Sequence, residues 1–306
     1  MLDRGVMLPG AKQAARVHGG PAGRRPGEAT RVLDGPDLAD TLAVLHRDPV
    51  ANAFVATRVE AVGLDPWRLG GEMWGWFDQD GRLESLCYAG ANLVPINAGP
   101  QAVVAFAERA RRQGRRCSSI VGPADSTAAL WALLQRSWGP AREVRGHQPL
   151  MAATEPATEV APDPLVRRVR RDEIDLLMPA CVAMFTEEVG ISPLAGDGGL
   201  LYQARVAELV GGGRSFARIS EQGEVVFKAE IGAVTQGACQ IQGVWVAPAH
   251  RGRRISESGM AAVLEIALRE VAPVVSLYVN DYNLPARAAY HRVGFREVGA
   301  FMSVLF

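Results

Sequence analysis

The chain has 306 residues, 48% of them hydrophobic, which is enough for a large core and, at about 150 residues per domain, for two domains. Its 33 Lys and Arg offset 33 Asp and Glu, so no overall field draws nucleic acid or anionic lipid, and a small-molecule or peptide partner is expected. The cysteines Cys87, Cys117, Cys181 and Cys239 form no C-x-x-C pair, which argues against a zinc site or disulfide framework, and no stretch reaches the roughly 20 apolar residues of a membrane span.

In chain order, residues 1–30 are rich in Gly, Pro, Arg and Ala without periodicity and read as a disordered extension lacking the apolar centre of a secretory signal. Residues 31–151 form a first unit. Leu38, Leu42 and Leu45 mark a helix, and strands at Glu72–Asp78 and Leu83–Tyr88 flank an Asp80-Gly81 turn. A strand at Asn92–Ile96, a helix at Gln101–Arg112, a strand at Cys117–Val121, a helix at Ser126–Gln135 and a strand at Val144–Met151 complete it. Residues 152–164 carry three prolines and no alternation, the composition of a linker.

A second unit, 165–306, repeats this order. A short strand at Leu165–Val169 precedes helices at Asp172–Glu188 and Leu201–Val210. Strands at Ser215–Ile219, Val225–Val234 and Ala238–Ala247 are separated by turn residues and predict an antiparallel meander. A helix at Ser256–Val271 presents Met260, Val263, Leu264, Ala267, Leu268 and Val271 on one face; a strand at Val274–Asn280, a helix from Pro285 to Arg292 and a strand pair from Phe295 to Phe306 follow. The shared order predicts an internal duplication.

Two joints carry candidate chemistry. In Val244-Trp245-Val246-Ala247-Pro248-Ala249-His250-Arg251-Gly252-Arg253-Arg254-Ile255-Ser256 a strand enters a tight basic turn and then a long helix. Amides at such a helix start hold an anion without a dedicated side chain, and Gly252 permits close backbone approach. At the second joint, Asn283 and Tyr290 stand seven residues apart, close to two helical turns, so both can face one groove.

Both joints resemble the GNAT superfamily of acetyl-CoA-dependent N-acetyltransferases. The family's Gln/Arg-x-x-Gly-x-Gly/Ala loop falls on Arg251-Gly252-Arg253-Arg254-Ile255-Ser256, with Arg254 and Ser256 in place of the two small residues, and Asn283-Leu284-Pro285-Ala286 through Tyr290 to Gly294-Phe295 is similar to its Asn-x-x-Ala-x-x-x-Tyr helix and Gly-Phe exit. The resemblance implies an α+β GNAT fold, a mixed, mostly antiparallel sheet flanked by helices, in two tandem GNAT-like domains. The first of these is degenerate: Pro95–Pro100 lacks arginine, and no Asn-x-x-Ala-x-x-x-Tyr follows Cys117.

It further implies acetyl-CoA as co-substrate, held by Val244, Trp245, Val246, the 251–256 loop, Asn283 and Tyr290. Tyr290 is then the general acid toward the thiolate, an amide near Val244 or Trp245 polarises the carbonyl, and Glu230, Glu187, Glu188 or Asp281 serves as base, directly or through water. The expected acceptor is an amine of a small molecule or peptide, the compartment cytoplasmic, with no metal, nucleic-acid or membrane partner. The arginine clusters Arg111-Arg112 with Arg115-Arg116, and Arg167-Arg168 with Arg170-Arg171, lack interleaved aromatics and read as solvated faces. The whole chain resembles two-part acetyltransferases of high-GC bacteria and, more distantly, mycothiol synthase. Two other classes remain open here: a non-catalytic acyl-CoA sensor, which the Arg254 and Ser256 departures permit, and a tandem transferase with an aminoacyl-tRNA donor, which needs a basic surface.

Overall fold

A computed structural model describes residues 30–195 and 199–306; the expected extension lies outside the described residues except for Thr30. The first half runs β1 (Thr30–Val32), α1 (Leu38–Leu45), α2 (Ala53–Val62), α3 (Pro66–Leu69), β2 (Gly71–Phe77), β3 (Leu83–Gly90), β4 (Asn92–Ile96), α4 (Pro100–Gln113), β5 (Ser119–Pro123), α5 (Ala124–Trp138) and β6 (Glu143–Ala153). The second runs β7 (Arg167–Arg168), α6 (Ile174–Val189), α7 (Leu200–Gly211), β8 (Ser215–Ile219), β9 (Val225–Val234), β10 (Cys239–Val246), α8 (Ile255–Glu270), β11 (Val275–Tyr278), α9 (Leu284–Val293) and β12 (Arg296–Leu305).

Local sequence explains the long helices. Pro100 opens α4 with a fixed φ, Ala102, Val103, Phe106, Ala107 and Ala110 turn inward at 3-4 spacing, and Gly114 at φ +74° ends it. α8 lies flat on β9 because Gly259 has no side chain; a Cβ there would meet the Phe227 ring at 2.8 Å.

All described strands join one sheet, in the order β1-β2-β3-β4-β5-β12-β6-β11-β10-β9-β8-β7. Each half contains an antiparallel pair followed by a parallel crossover, β3/β4 then β4/β5 and β9/β10 then β10/β11. Their last strands are exchanged. β12 lies against β5 of the first half, and β6 lies against β11 of the second, with β6 and β12 antiparallel to each other at the centre. Met302 and Val304 of β12 therefore pack with Phe106, Ile120 and Leu130, while Met151 and Ala153 of β6 join the core of Phe216, Phe227, Met260 and Leu277. Each fully buried large side chain contributes roughly 1.5–3 kcal/mol, so each half lends the other part of its core.

Four expectations change at the level of elements. The strand at Leu165–Val169 shrinks to the two residues of β7, and the closing strand pair is the single β12. α2 and α3 were not anticipated. The proline-rich 152–164 stretch begins inside β6, and at its far end Asp163 is buried, donates its N–H to the Ser258 carbonyl (3.0 Å) and accepts from Arg218 (2.9 Å), so both ends are fastened to the second half.

Candidate active site

The site begins where β10 leaves its neighbour. β10 and β11 are in register only at Cys239↔Val275 and Gln240↔Ser276; beyond that the strands separate. On the other edge the β9 ladder shifts between Gln242 and Trp245, and Gly243 stands at φ +61°. An extra residue on one strand bends it and increases its twist, which opens the gap. The Ala247 N–H donates to Val226 on β9 (3.0 Å). Strand alternation therefore turns the Val246 amide toward the gap.

The bulge is fastened from below. Lys228, completely buried on β9, donates from Nζ to the Gly243 carbonyl (3.0 Å) and pairs with Glu230 (2.7 Å). Cys181 of α6 adds a thiol contact to Glu230 at 3.6 Å.

The gap ends on the 251–256 turn. The N–H groups of Arg251, Glu257 and Ser258 reach the carbonyls of Pro248, Arg254 and Arg254. The five consecutive amides of residues 252 to 256 make no hydrogen bond within the described protein. They sit at the positive end of α8, a helix of 16 residues, and converging unpaired amides at a helix start attract anions. Gly252 holds φ +74° with open space where a Cβ would stand, and Arg254, the N-cap, holds φ +59°. A left-handed conformation costs a non-glycine residue roughly 1–2 kcal/mol. Arg253 and Arg254 are exposed and form no ion pair among the described residues, whereas Arg251 is tied to Glu187 (2.7 Å) and to the Val246 carbonyl (3.0 Å).

Across the gap, Asn283 caps α9 by accepting the Ala286 N–H at 3.3 Å. Two turns on, Tyr290 is 7% exposed and packs edge-on against Phe295; its hydroxyl makes no hydrogen bond within the described protein. Burial, reinforced by the nearby Glu188 carboxylate, pushes its phenol pKa well above the ordinary value.

The expected bases are dispersed. Glu230 is committed to Lys228, and Glu187 accepts from both Trp245 Nε1 (3.2 Å) and Arg251. Glu188 faces Arg145 of β6 at 3.5 Å, and Asp281 is exposed, with its carbonyl accepting from Arg287 (3.1 Å). Of these, Glu188 alone is close enough to Tyr290 to act on its titration.

Residues 195–295 match the family model described as "Acetyltransferase (GNAT) family". The second half carries a GNAT acetyltransferase domain. The match marks that half as an acyltransferase domain. Residues 71–177 match a second model, described as a domain of unknown function (DUF4081), which runs from β2 across the 152–164 stretch into α6. No curated protein sequence matches.

Among solved structures the chain is similar to a GNAT-family acetyltransferase from Colwellia psychrerythraea, at 12% identity and TM-score 0.54 over 90% of this chain and 99% of that one. It is similar to a GCN5-related N-acetyltransferase from Sphaerobacter thermophilus, at 18% and 0.52 over 90% and 93%. It is also similar to a tandem GNAT protein from the clavulanic acid biosynthesis pathway, at 13% and 0.53 over 90% and 98%. At these identities the likeness is one of fold, and it extends over both halves.

The GNAT framework clarifies which residues the sequence reading missed. Gln148 of β6 is buried between the halves, accepting from Ser303 of β12 (2.7 Å) and donating to the Asn280 side chain (2.8 Å). It fixes the end of β11 from which Asn283 and Tyr290 are hung. Lys228 had a signal: the chain has two lysines, Lys12 and Lys228, and the second interrupts an apolar strand. In the first half the corresponding gap is closed, since the Pro95 carbonyl lies 3.2 Å from where a Gly122 Cβ would be.

Proposed function

We propose that the chain is an N-acetyltransferase that moves an acetyl group from acetyl-CoA to a primary amine of a small molecule or peptide, by direct attack in the cleft between β10 and β11. The observation that carries this reading is the run of five unpaired amides at residues 252 to 256, at the end of a splayed and bulged strand. These amides, with Arg253 and Arg254, suit the pyrophosphate of coenzyme A. The outward amide of Val246 suits the pantetheine arm, and an amide of the bulged stretch at Val244 suits the thioester oxygen, where a preorganised donor stabilises developing charge.

The amine must arrive neutral. Glu188 is the favoured base because its charge already reaches Tyr290. Tyr290 donates to the departing sulfur. Its raised pKa keeps it protonated at neutral pH but makes complete transfer to a thiolate uphill, so its contribution is a hydrogen bond that strengthens as charge builds on sulfur, while the amine's proton leaves through Glu188.

A non-catalytic acyl-CoA sensor is the second reading. It is favoured by the pairing of Glu230, Glu187 and Glu188 with cations. No helix of the described residues is long and apolar enough to cross a membrane, and a cytoplasmic site of action fits the acetyl-CoA requirement.

Thiol release by the full chain, with acetyl-CoA and a panel of amines and peptides, separates the readings. Turnover is expected for at least one acceptor class, and Tyr290→Phe should lower it by about 10- to 1000-fold with acetyl-CoA affinity little changed. Tight acetyl-CoA binding without release of thiol for any acceptor favours the sensor. Full turnover by Tyr290→Phe removes the phenol from the chemistry.

A further inference from the structure

A second concave site lies in the first half, remote in the fold from the GNAT cleft. The cleft opens at the end of β10 and the start of α8. This cavity, of about 390 Å³, is surrounded by the start of β2, the end of β3, the start of β4, the end of α4 and the residues before β5. Its volume falls within the range of small-molecule sites, roughly 300–1,000 Å³. Trp74, Leu93 and Trp138 give it apolar and aromatic walls; Glu72, Gln113 and Arg116 are its polar members.

The polar members are half-satisfied. Glu72 Oε2 accepts from Trp74 Nε1 (2.7 Å) and Gln113 Nε2 (3.0 Å), which orient the carboxylate, while Oε1 has no hydrogen-bond partner among the described residues. Against the burial that opposes it, those two donors and the charges of Arg109 and Arg116 hold this carboxyl below its ordinary pKa, so it is ionised at neutral pH. Arg116, exposed at the cavity, forms no hydrogen bond or ion pair with the described protein. An ionised carboxylate with one open oxygen and an uncommitted guanidinium lining one cavity call for a ligand that answers both.

We propose that this cavity binds a free α-amino acid with an apolar side chain. Its ammonium sits on Glu72 Oε1, its carboxylate meets Arg116, and its side chain lies against Trp74 and Leu93. The last turn of α4 supports the ammonium end: Ala110, Gln113 and Gly114 line the cavity, and helix C-termini carry partial negative charge. A simple anion would face Glu72 unpaired, and a simple amine would leave Arg116 unanswered.

The test is calorimetric and thermal titration of the full chain with leucine and phenylalanine, each beside its N-acetyl and carboxamide derivatives, with and without saturating acetyl-CoA. The free amino acids should bind one per chain and raise Tm, whether or not acetyl-CoA is present. Blocking either end should weaken binding by about tenfold or more, as should Glu72→Gln and Arg116→Met, since each removes a charge-assisted hydrogen bond. Arg116→Met decides the matter if Glu72→Gln disturbs folding, because Arg116 is exposed and holds no structural contact by hydrogen bond or ion pair. The proposal fails if no free amino acid binds at millimolar concentration, if the blocked derivatives bind equally well, if both variants bind as the parent does, or if acetyl-CoA displaces the amino acid.

Discussion

At the scale of single residues, the departures from the GNAT loop pattern have a physical reading. Arg254 occupies a glycine position of the motif and keeps the left-handed backbone, φ +59°, that glycine would adopt without strain. A strained conformation retained at a ligand-facing turn points to use of the side chain there. Arg254→Gly should leave stability within about 1 kcal/mol of the parent, because relief of strain offsets the greater freedom of the unfolded chain. Acetyl-CoA affinity should fall by roughly 3- to 30-fold through loss of one cation near the phosphates. Equilibrium denaturation and calorimetry measure the two quantities. Unchanged affinity would show that the amides alone hold the anion.

Glu230 shows the limit of reading single residues. It was a reasonable base from its place on a central strand, but Lys228, two residues away on the same face, takes it up. The use of that pair is visible only once the Gly243 bulge brings a carbonyl to the Lys228 ammonium.

At the scale of elements, one carboxylate holds the start of α6. Glu173, buried at the N-cap of α6, accepts two hydrogen bonds from Arg167 of β7 (2.8 and 2.7 Å) and one from the Arg170 N–H (2.9 Å). The Arg167 guanidinium, opposed by burial and assisted by the Arg170 amide, lowers its pKa from 4.5 to about 2. A depressed carboxyl stabilises the fold above its unfolded pKa and loses that contribution as pH falls from 4.5 toward 2. Glu173→Gln should cost on the order of 2–3 kcal/mol at neutral pH and flatten the acid limb of a stability-pH profile in that window. An acid limb of unchanged depth in the variant would place the loss elsewhere.

Elements with long, unbroken periodicity were legible in the sequence: α4, α8 and the β8-β9-β10 meander stand where their apolar spacing put them. The two GNAT joints were legible because glycine, proline and asparagine mark backbone positions directly. Strand partners were not. Period-2 alternation in β6 and β12 specifies a buried face and says nothing of which neighbour supplies the ladder, so the exchange could not be read. Gln148, whose role is to clamp β12, β6 and β11 together, was hidden for the same reason.

At the scale of the whole molecule, the exchange makes the halves mutually dependent. Without residues 31–164, β11 loses the ladder with β6, Asn280 loses Gln148, and the second core loses Met151. An exposed unpaired edge is also an aggregation hazard. Residues 165–306 expressed alone should therefore be unfolded or associated, and joint expression with residues 31–164 should restore a folded complex, as judged by circular dichroism and sedimentation. A monomeric, folded 165–306 fragment that binds acetyl-CoA would show that the shared strands are dispensable.

The same duplication offers two places for a cofactor and equips one. The second half has a splayed strand pair and five free amides; the first has a closed strand pair, and Pro95 and Pro100 in its turn have no N–H to offer. Isothermal titration of the full chain with acetyl-CoA tests this most directly. The expected result is a stoichiometry near one, with binding abolished by Gly252→Pro, which removes a donor and stiffens the turn. Two equivalent sites per chain, or one site that survives Gly252→Pro, would contradict it.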